Sequence, residues 1–275
     1  MIASYARRTS RMIKENIFDL SLPYFDGSQK KVRVFVPEHE QNEKLPVVYM
    51  ADGQNLFEDD HVKYGCWYTR EAVRELQKNS GKSAVIVGIH SDENDVRRFI
   101  ELLPGSVGRL NYPPDAPKEL IGKVEPCGDK YADFVVNTVM PAVSAQFPIK
   151  TGRENTAFCG SSMGGLQSFF LALEYPKLFC AAGVFSPAFV YYIEEDLIGW
   201  TRSKMHSIGE VPFLYMYMGG ADKFEQLFEG SFEKTTGVLE ECWPKNKLKK
   251  VVMPEKPHHE SAWTPVFKDF LNIFL

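Results

Sequence analysis

Apolar positions change their period several times along the chain, and each change marks a different element. From Ile13 to Leu22 and from Lys30 to Val36 apolar and polar residues alternate on either side of Asp26-Gly27, the pattern of an antiparallel hairpin at a sheet edge. Pro37 ends it. From Pro46 the alternation gives way to continuous apolar runs, Val47-Val48-Tyr49-Met50 and Ala84 to Ile89, which suit strands covered on both faces. A helical period from about Tyr68 to Lys78 lies between them, so the three segments predict a parallel strand-helix-strand unit. A second helix, about Asp129 to Phe147, precedes a short buried strand from Asn155 to Cys159. Leu166, Phe169, Phe170, Leu171 and Leu173 then recur at helical spacing until Pro176. Phe213 to Met218 and Leu248 to Met253 supply later strands, with helices between and after, one of them from Phe224 to Leu239. The sum is one α/β domain over 1–275, a mostly parallel doubly wound sheet with an N-terminal antiparallel hairpin and helices on both faces.

Two stretches fall outside this rhythm. From His90 to Cys127 there are five prolines (104, 113, 114, 117 and 126) and little periodicity, which predicts a long irregular loop of the kind that is usually functional. A second insertion, about Tyr191 to Glu210, carries Tyr191, Tyr192 and Trp200 in an expected helix that would cap the same side of the sheet, near the active site.

At 275 residues, 44% hydrophobic and 25% charged, the chain can bury a sizeable core. Its net charge of −4 is made of interspersed acidic and basic residues, which excludes the electrostatic footprint of a nucleic-acid or anionic-membrane partner. Lys245, Lys247, Lys249 and Lys250 read as a solvated turn and strand entry. Met1 to Arg8 has no apolar stretch of a signal peptide and nowhere do 18 apolar residues run together, so the expected location is cytoplasmic. Cys66, Cys127, Cys159, Cys180 and Cys242 are odd in number and scattered, which argues for reduced core residues over a disulfide framework or a metal site. No interface-specific pattern speaks to oligomeric state.

The chemistry enters at Gly160-Ser161-Ser162-Met163-Gly164, a serine in G-x-S-x-G spacing. A random chain of this length contains that spacing roughly one time in ten, so the motif alone is weak. A buried strand before it and an apolar helix after it make the strand-turn-helix order of a nucleophile elbow, and nominate Ser162 as an attacking hydroxyl. Such a serine needs a histidine to take its proton and a carboxylate to orient that histidine, in the chain order Ser, Asp or Glu, His. His39, His61 and His90 precede Ser162, and His206 precedes the strand that should deliver the acid. His258 and His259 remain, both in a loop after a late strand. Asp222 follows that acid-bearing strand, where catalytic groups gather in open α/β sheets; its plainer role is to cap the helix beginning at Phe224. Glu225 competes with it. The oxyanion needs two backbone N–H donors, for which Met163 and, in the early loop Asp52-Gly53-Gln54-Asn55-Leu56-Phe57, Gln54 are the candidates.

These residues resemble the Putative esterase family of α/β-hydrolases, related to esterase D, which includes acetyl xylan, feruloyl and siderophore esterases and, more distantly, mycolyltransferases. The likeness runs over nearly the whole chain. Its marks are Asp52 to Phe57, Trp67, Arg98-x-x-Glu101-x-x-Pro104, Gly160 to Gly165, Ser186-Pro187-Ala188 and His258-x-Glu260-x-x-Trp263. The resemblance implies an α/β-hydrolase fold, places the base on His258 and supports Gln54 as an oxyanion donor. Many relatives carry a Gly-Thr-x-Glu type of sequence where this chain has Gly220-Ala221-Asp222, which leaves the acid between Asp222 and Glu225. Glu260 is expected to favour the last helix N-terminus, and Arg98 and Glu101 to brace a loop. The expectation is a serine carboxylic-ester hydrolase working through an acyl-enzyme with Ser162, His258 and Asp222, without metal or organic cofactor. Trp67, Tyr112, Tyr191, Tyr192 and Trp263 are candidates to line a pocket for acetyl or feruloyl esters of sugars. Siderophore esters and S-formylglutathione are the alternative substrates, ahead of acyl transfer or a non-catalytic binding role.

Overall fold

The computed structural model describes residues 11–58, 63–113, 121–122 and 125–275. His61, Pro114 and Pro117 lie outside them. Strand β1 (Met12–Ile13) pairs antiparallel with β4 (His39–Glu40) as a small separate ribbon. The alternating segments form the expected hairpin of β2 (Asn16–Pro23) and β3 (Gln29–Val36), closed by a turn in which the Tyr24 N–H donates to the Ser28 carbonyl at 2.9 Å.

The apolar runs become β5 (Val47–Met50), β6 (Val85–Ile89), β7 (Thr156–Ser161) and β9 (Phe213–Met218); β8 (Ala181–Phe185) is a strand the sequence reading did not name, and β10 (Leu248–Val252) forms where expected. Together with the hairpin they make an eight-stranded sheet in the order β10-β9-β8-β7-β5-β6-β3-β2. The strands from β5 to β10 run parallel, and the hairpin joins antiparallel through β3 on β6, at one edge. Successive residues of a strand point to opposite faces. Val47 and Tyr49 therefore enter one core, Val48 and Met50 the other, and this is why these strands carry no polar alternation.

On one face lie α1 (Thr69–Ser80) and α8 (Glu260–Phe274), which bury Ala72, Val73, Phe267 and Phe270. On the other lie α2 (Asp95–Leu102), α3 (Gly128–Phe134), α4 (Met140–Gln146), α5 (Met163–Glu174), α6 (Glu194–Ser207) and α7 (Lys223–Cys242). Two helices differ from the sequence reading. The stretch from about Asp129 is not one regular helix: a π turn, Val135–Val139, joins α3 to α4, and the Met140 N–H donates to Val135 five residues back. Pro141 follows directly; it has no N–H to give and its ring would strike a carbonyl of a regular ladder, so the wider turn relieves it.

The irregular connection after His90 contains α2, capped by the Asn94 side chain, which accepts from the N–H groups of Val96 and Arg97. Its eight residues are too few for a clear period, and a buried glutamate, Glu101, sits in its apolar stripe beside Phe99 and Leu102. The insertion after Tyr191 forms α6 with Trp200 on it, as expected, while Tyr191 and Tyr192 precede the helix. There Trp200 stacks on Phe170 of α5, with centroids 5.7 Å apart. No helix among the described residues is long and apolar enough to cross a membrane.

Candidate active site

Because β5, β7, β8, β9 and β10 run parallel, the loops that follow them all leave the same edge of the sheet. Ser162 stands between β7 and α5 with φ 57° and ψ −121°, a strained backbone that costs an ordinary residue roughly 1–3 kcal/mol. The turn is held by its own peptide groups: the Ser162 N–H donates to Phe185 at 2.9 Å, and its carbonyl accepts from Ala188 at 3.1 Å. A Cβ on Gly160 would lie 2.6 Å from the Gly164 carbonyl oxygen, and one on Gly165 2.6 Å from that of Phe185, so both positions need glycine for the chain to turn this tightly. Ser161 and Met163 are buried, whereas Ser162 reaches the surface and its hydroxyl makes no cap to α5. As the first residue of α5, Met163 has an N–H with no partner inside the helix, aimed outward with the positive end of the helix dipole.

The carboxylate that meets the His258 ring lies three residues beyond Asp222, at Glu225, the other candidate. Asp222 ends the loop after β9 and spends its carboxylate on backbone: Oδ1 accepts from Phe224 at 2.9 Å and Glu225 at 3.0 Å, capping α7, and Oδ2 accepts from the His258 N–H at 2.6 Å. Partial burial works against its charge, but these N–H donors prevail and hold its pKa below the usual range. The carboxylate against the imidazole is that of Glu225, whose Oε1 lies 3.0 Å from His258 Nδ1. Glu225 is wholly buried and fully partnered: Oε1 also accepts from the Ser186 hydroxyl at 2.6 Å, and Oε2 accepts from the Gly219 N–H at 3.0 Å. Ser186, itself at φ 40° after β8, accepts at 3.1 Å from the Trp263 indole N–H. The Trp263 ring then meets the His258 ring edge-on, centroids 5.0 Å apart. Trp263, Ser186 and Glu225 thus form one buried chain ending at His258. His259 is exposed and turned away; its Nδ1 accepts from the Ser261 N–H at 3.1 Å and caps α8.

The loop after β5 is fixed from below. Asp52 is buried in the left-handed region, φ 55°, and opens a single turn over Gly53–Asn55 in which Gln54 is the second residue, its N–H without an intrahelical acceptor. Arg98 of α2 clamps both Asp52 oxygens at 2.6 Å each. Burial would raise this carboxyl, but the Arg98 charge and its hydrogen bonds keep it lowered. The Ser91 hydroxyl also donates to Asp52, and the Gln54 side chain brackets Ser91, donating to its Oγ at 2.9 Å and accepting from its N–H at 3.2 Å. Glu101 braces the same region through Lys30, Tyr24 and the Asp92 N–H. Glu260, the first residue of α8, is buried, accepts from Asn55 Nδ2 at 3.2 Å, and is pushed up to about 7, chiefly by burial.

Three of the five candidate pocket residues lie in the core. Trp67 stacks between Phe185 and Trp263 with centroids 5.7 Å from each, and Tyr192 is buried with its hydroxyl donating to the Pro104 carbonyl at 2.6 Å. Trp263 is the third, buried against the Trp67 and His258 rings. Tyr191 and Tyr112 are half-buried, Tyr191 meeting Phe99 edge-on at 4.6 Å. Sequence reasoning gave Ser186 no role beyond a family mark; the only signal in the sequence was Ser186-Pro187-Ala188 itself. Among the described residues no group of three or more His, Cys, Asp or Glu could hold a metal ion.

A parallel sheet covered on both faces, an elbow serine and an imidazole–carboxylate pair at one strand edge define an α/β-hydrolase. The family model described as Putative esterase matches residues 26–226, and the chain belongs to that family. The matched segment holds the elbow and Glu225 and ends before His258. The chain is 22% identical over 173 residues to the uncharacterized protein YbbA of Bacillus subtilis, the match spanning 62% of each chain. Its fold is similar to that of a ferulic acid esterase, TM-score 0.68 at 15% identity over 95% of this chain and 98% of that one. It is also similar to the siderophore hydrolase EstB from Aspergillus nidulans, TM-score 0.67 at 18% identity over 99% and 98%.

Proposed function

We propose that the protein hydrolyses carboxylic esters through Ser162, His258 and Glu225. The observation that carries this is the Glu225–His258 pair: a wholly buried carboxylate 3.0 Å from Nδ1 directs that nitrogen inward and leaves Nε2 to act as base at the strand edge that holds the elbow. Nε2 takes the Ser162 proton as Oγ bonds to the ester carbonyl carbon. The carbonyl oxygen becomes an oxyanion, met by the N–H groups of Gln54 and Met163. Collapse of this intermediate breaks the bond to the alcohol oxygen, which leaves with the proton from His258. Water, deprotonated in turn by His258, attacks the acyl-enzyme; as the bond to Oγ breaks and the acid leaves, His258 returns the proton to Ser162 Oγ. None of these steps calls on a metal or organic cofactor.

Acetyl or feruloyl esters of sugars are the proposed substrates, a reading supported by family membership and by the likeness to a ferulic acid esterase. Siderophore esters are the second reading, supported by the likeness to EstB over almost the full length of both chains. Replacing Ser162 with Ala removes turnover of an aryl acetate while circular dichroism stays unchanged; undiminished turnover overturns the assignment. One panel of acetyl, feruloyl, catechoyl and thioester substrates then ranks the substrate classes.

A further inference from the structure

We propose that Phe224 is the docking face for the leaving alcohol of the ester, and sets a preference for alcohols with a flat apolar face, an aryl ring or the C–H face of a sugar. This rests on the triad reading above. At 60% exposure Phe224 is the most exposed large apolar side chain among the described residues. Single exposed apolar residues are ordinary, so exposure alone says little. What distinguishes Phe224 is its place beside the imidazole.

Three aromatic rings surround His258. Trp263 and Phe228 stand edge-on to it at 5.0 and 5.3 Å and are almost wholly buried, so they hold the imidazole in place. Phe224 lies 5.7 Å away, tilted by 35°, and is open to solvent. It is therefore the apolar surface that a substrate meets next to the imidazole. The two groups are also fixed to each other: the one carboxylate of Asp222 accepts from the Phe224 N–H at 2.9 Å and from the His258 N–H at 2.6 Å.

The reaction decides which half of the substrate this ring touches. With Nδ1 held by Glu225, the proton passes through Nε2 to the departing alcohol oxygen, which must lie within hydrogen-bond reach of the imidazole. The carbonyl oxygen is drawn instead to the N–H groups of Gln54 and Met163. A ring bordering His258 thus faces the alcohol and leaves the acyl group to the rest of the edge. Because Phe224 is exposed, its replacement does not disturb the core.

The test is kcat/KM for wild type, Phe224→Ala and Phe224→Leu on two series. One holds the acyl group as acetate and varies the alcohol: ethyl acetate, phenyl acetate, acetylated xylo-oligosaccharides. The other holds p-nitrophenol and varies the acyl group: acetyl, butyryl, feruloyl. Phe224→Ala is expected to lose about tenfold on phenyl acetate, on the acetylated sugar or on both, the pattern naming the alcohol recognised, while ethyl acetate changes less than twofold. Within the p-nitrophenyl series any loss is the same for each acyl group. Equal changes across the alcohols, or a loss that follows the acyl group, overturn the proposal. Ser162→Ala in the same panel separates the two readings: if it retains turnover the triad falls, and if it is inactive while Phe224→Ala changes all alcohols alike, only the role of Phe224 falls.

Discussion

A carboxylate with no exposed surface must find donors for both oxygens, and Glu225 finds the Ser186 hydroxyl, the Gly219 N–H and the His258 ring. In the proposed mechanism this arrangement orients the imidazole and stabilises its charged form, so Glu225→Ala should lower kcat/KM for an aryl acetate by about a thousandfold. Asp222→Asn, which leaves that pair intact, should stay within about tenfold. The reverse order of the two variants would return the acid to Asp222. Sequence left both residues open for a physical reason: a strand end limits the acid to a few positions, and the side chain that turns inward is decided by the helix face. That face was legible. Glu225, Phe228, Phe232 and Leu239 recur at helical spacing, which puts a carboxylate on a buried apolar stripe. Asp222, with Glu225 three residues on, is also the spacing of a capping box, which favours the plainer role of Asp222.

At the scale of elements, Asp222 joins the start of α7 to the His258 loop, two segments far apart in sequence. Asp222→Ala removes both the cap and this tie, and should cost about 1–2 kcal/mol in urea unfolding. A stability equal to wild type would show that the cap contributes nothing. Strands β5, β6, β7 and β9 and the amphipathic α1 were readable because long apolar runs and 3.6-residue periods survive local exceptions. The π turn before Pro141 and the short α2 were not. The first depends on which neighbouring carbonyl a proline ring would strike, the second on a buried Glu101 whose partners, Tyr24 and Lys30, lie far away in the chain. The core positions of Trp67, Tyr192 and Trp263 could not be told from pocket positions, since an aromatic residue reads alike in sequence whether it lines a pocket or fills a core.

For the whole molecule, one edge of the sheet collects loops from both faces, and Glu260 lies where they meet, bonded to Asn55 at the foot of α8. Its pKa of about 7 in the folded protein lies above its ordinary 4.5. Between those values the folded state holds a proton that the unfolded chain releases. Its contribution to stability is therefore fully present below pH 4.5 and is lost as the pH rises through 7. Glu260→Gln keeps an acceptor for Asn55 without the charge. Relative to wild type its urea-unfolding stability should rise by on the order of 2–3 kcal/mol from pH 5 to pH 8. A difference that stays constant with pH would show that Glu260 titrates normally.

The central claim is that Ser162 is the nucleophile activated by His258. Brief reaction with a fluorophosphonate, followed by peptide mapping by mass spectrometry, tests it most directly. A single adduct on Ser162, lost in His258→Ala, is the predicted result. An adduct on Ser161, Ser168 or Ser186 instead, or continued ester turnover by protein that takes no label, would contradict it.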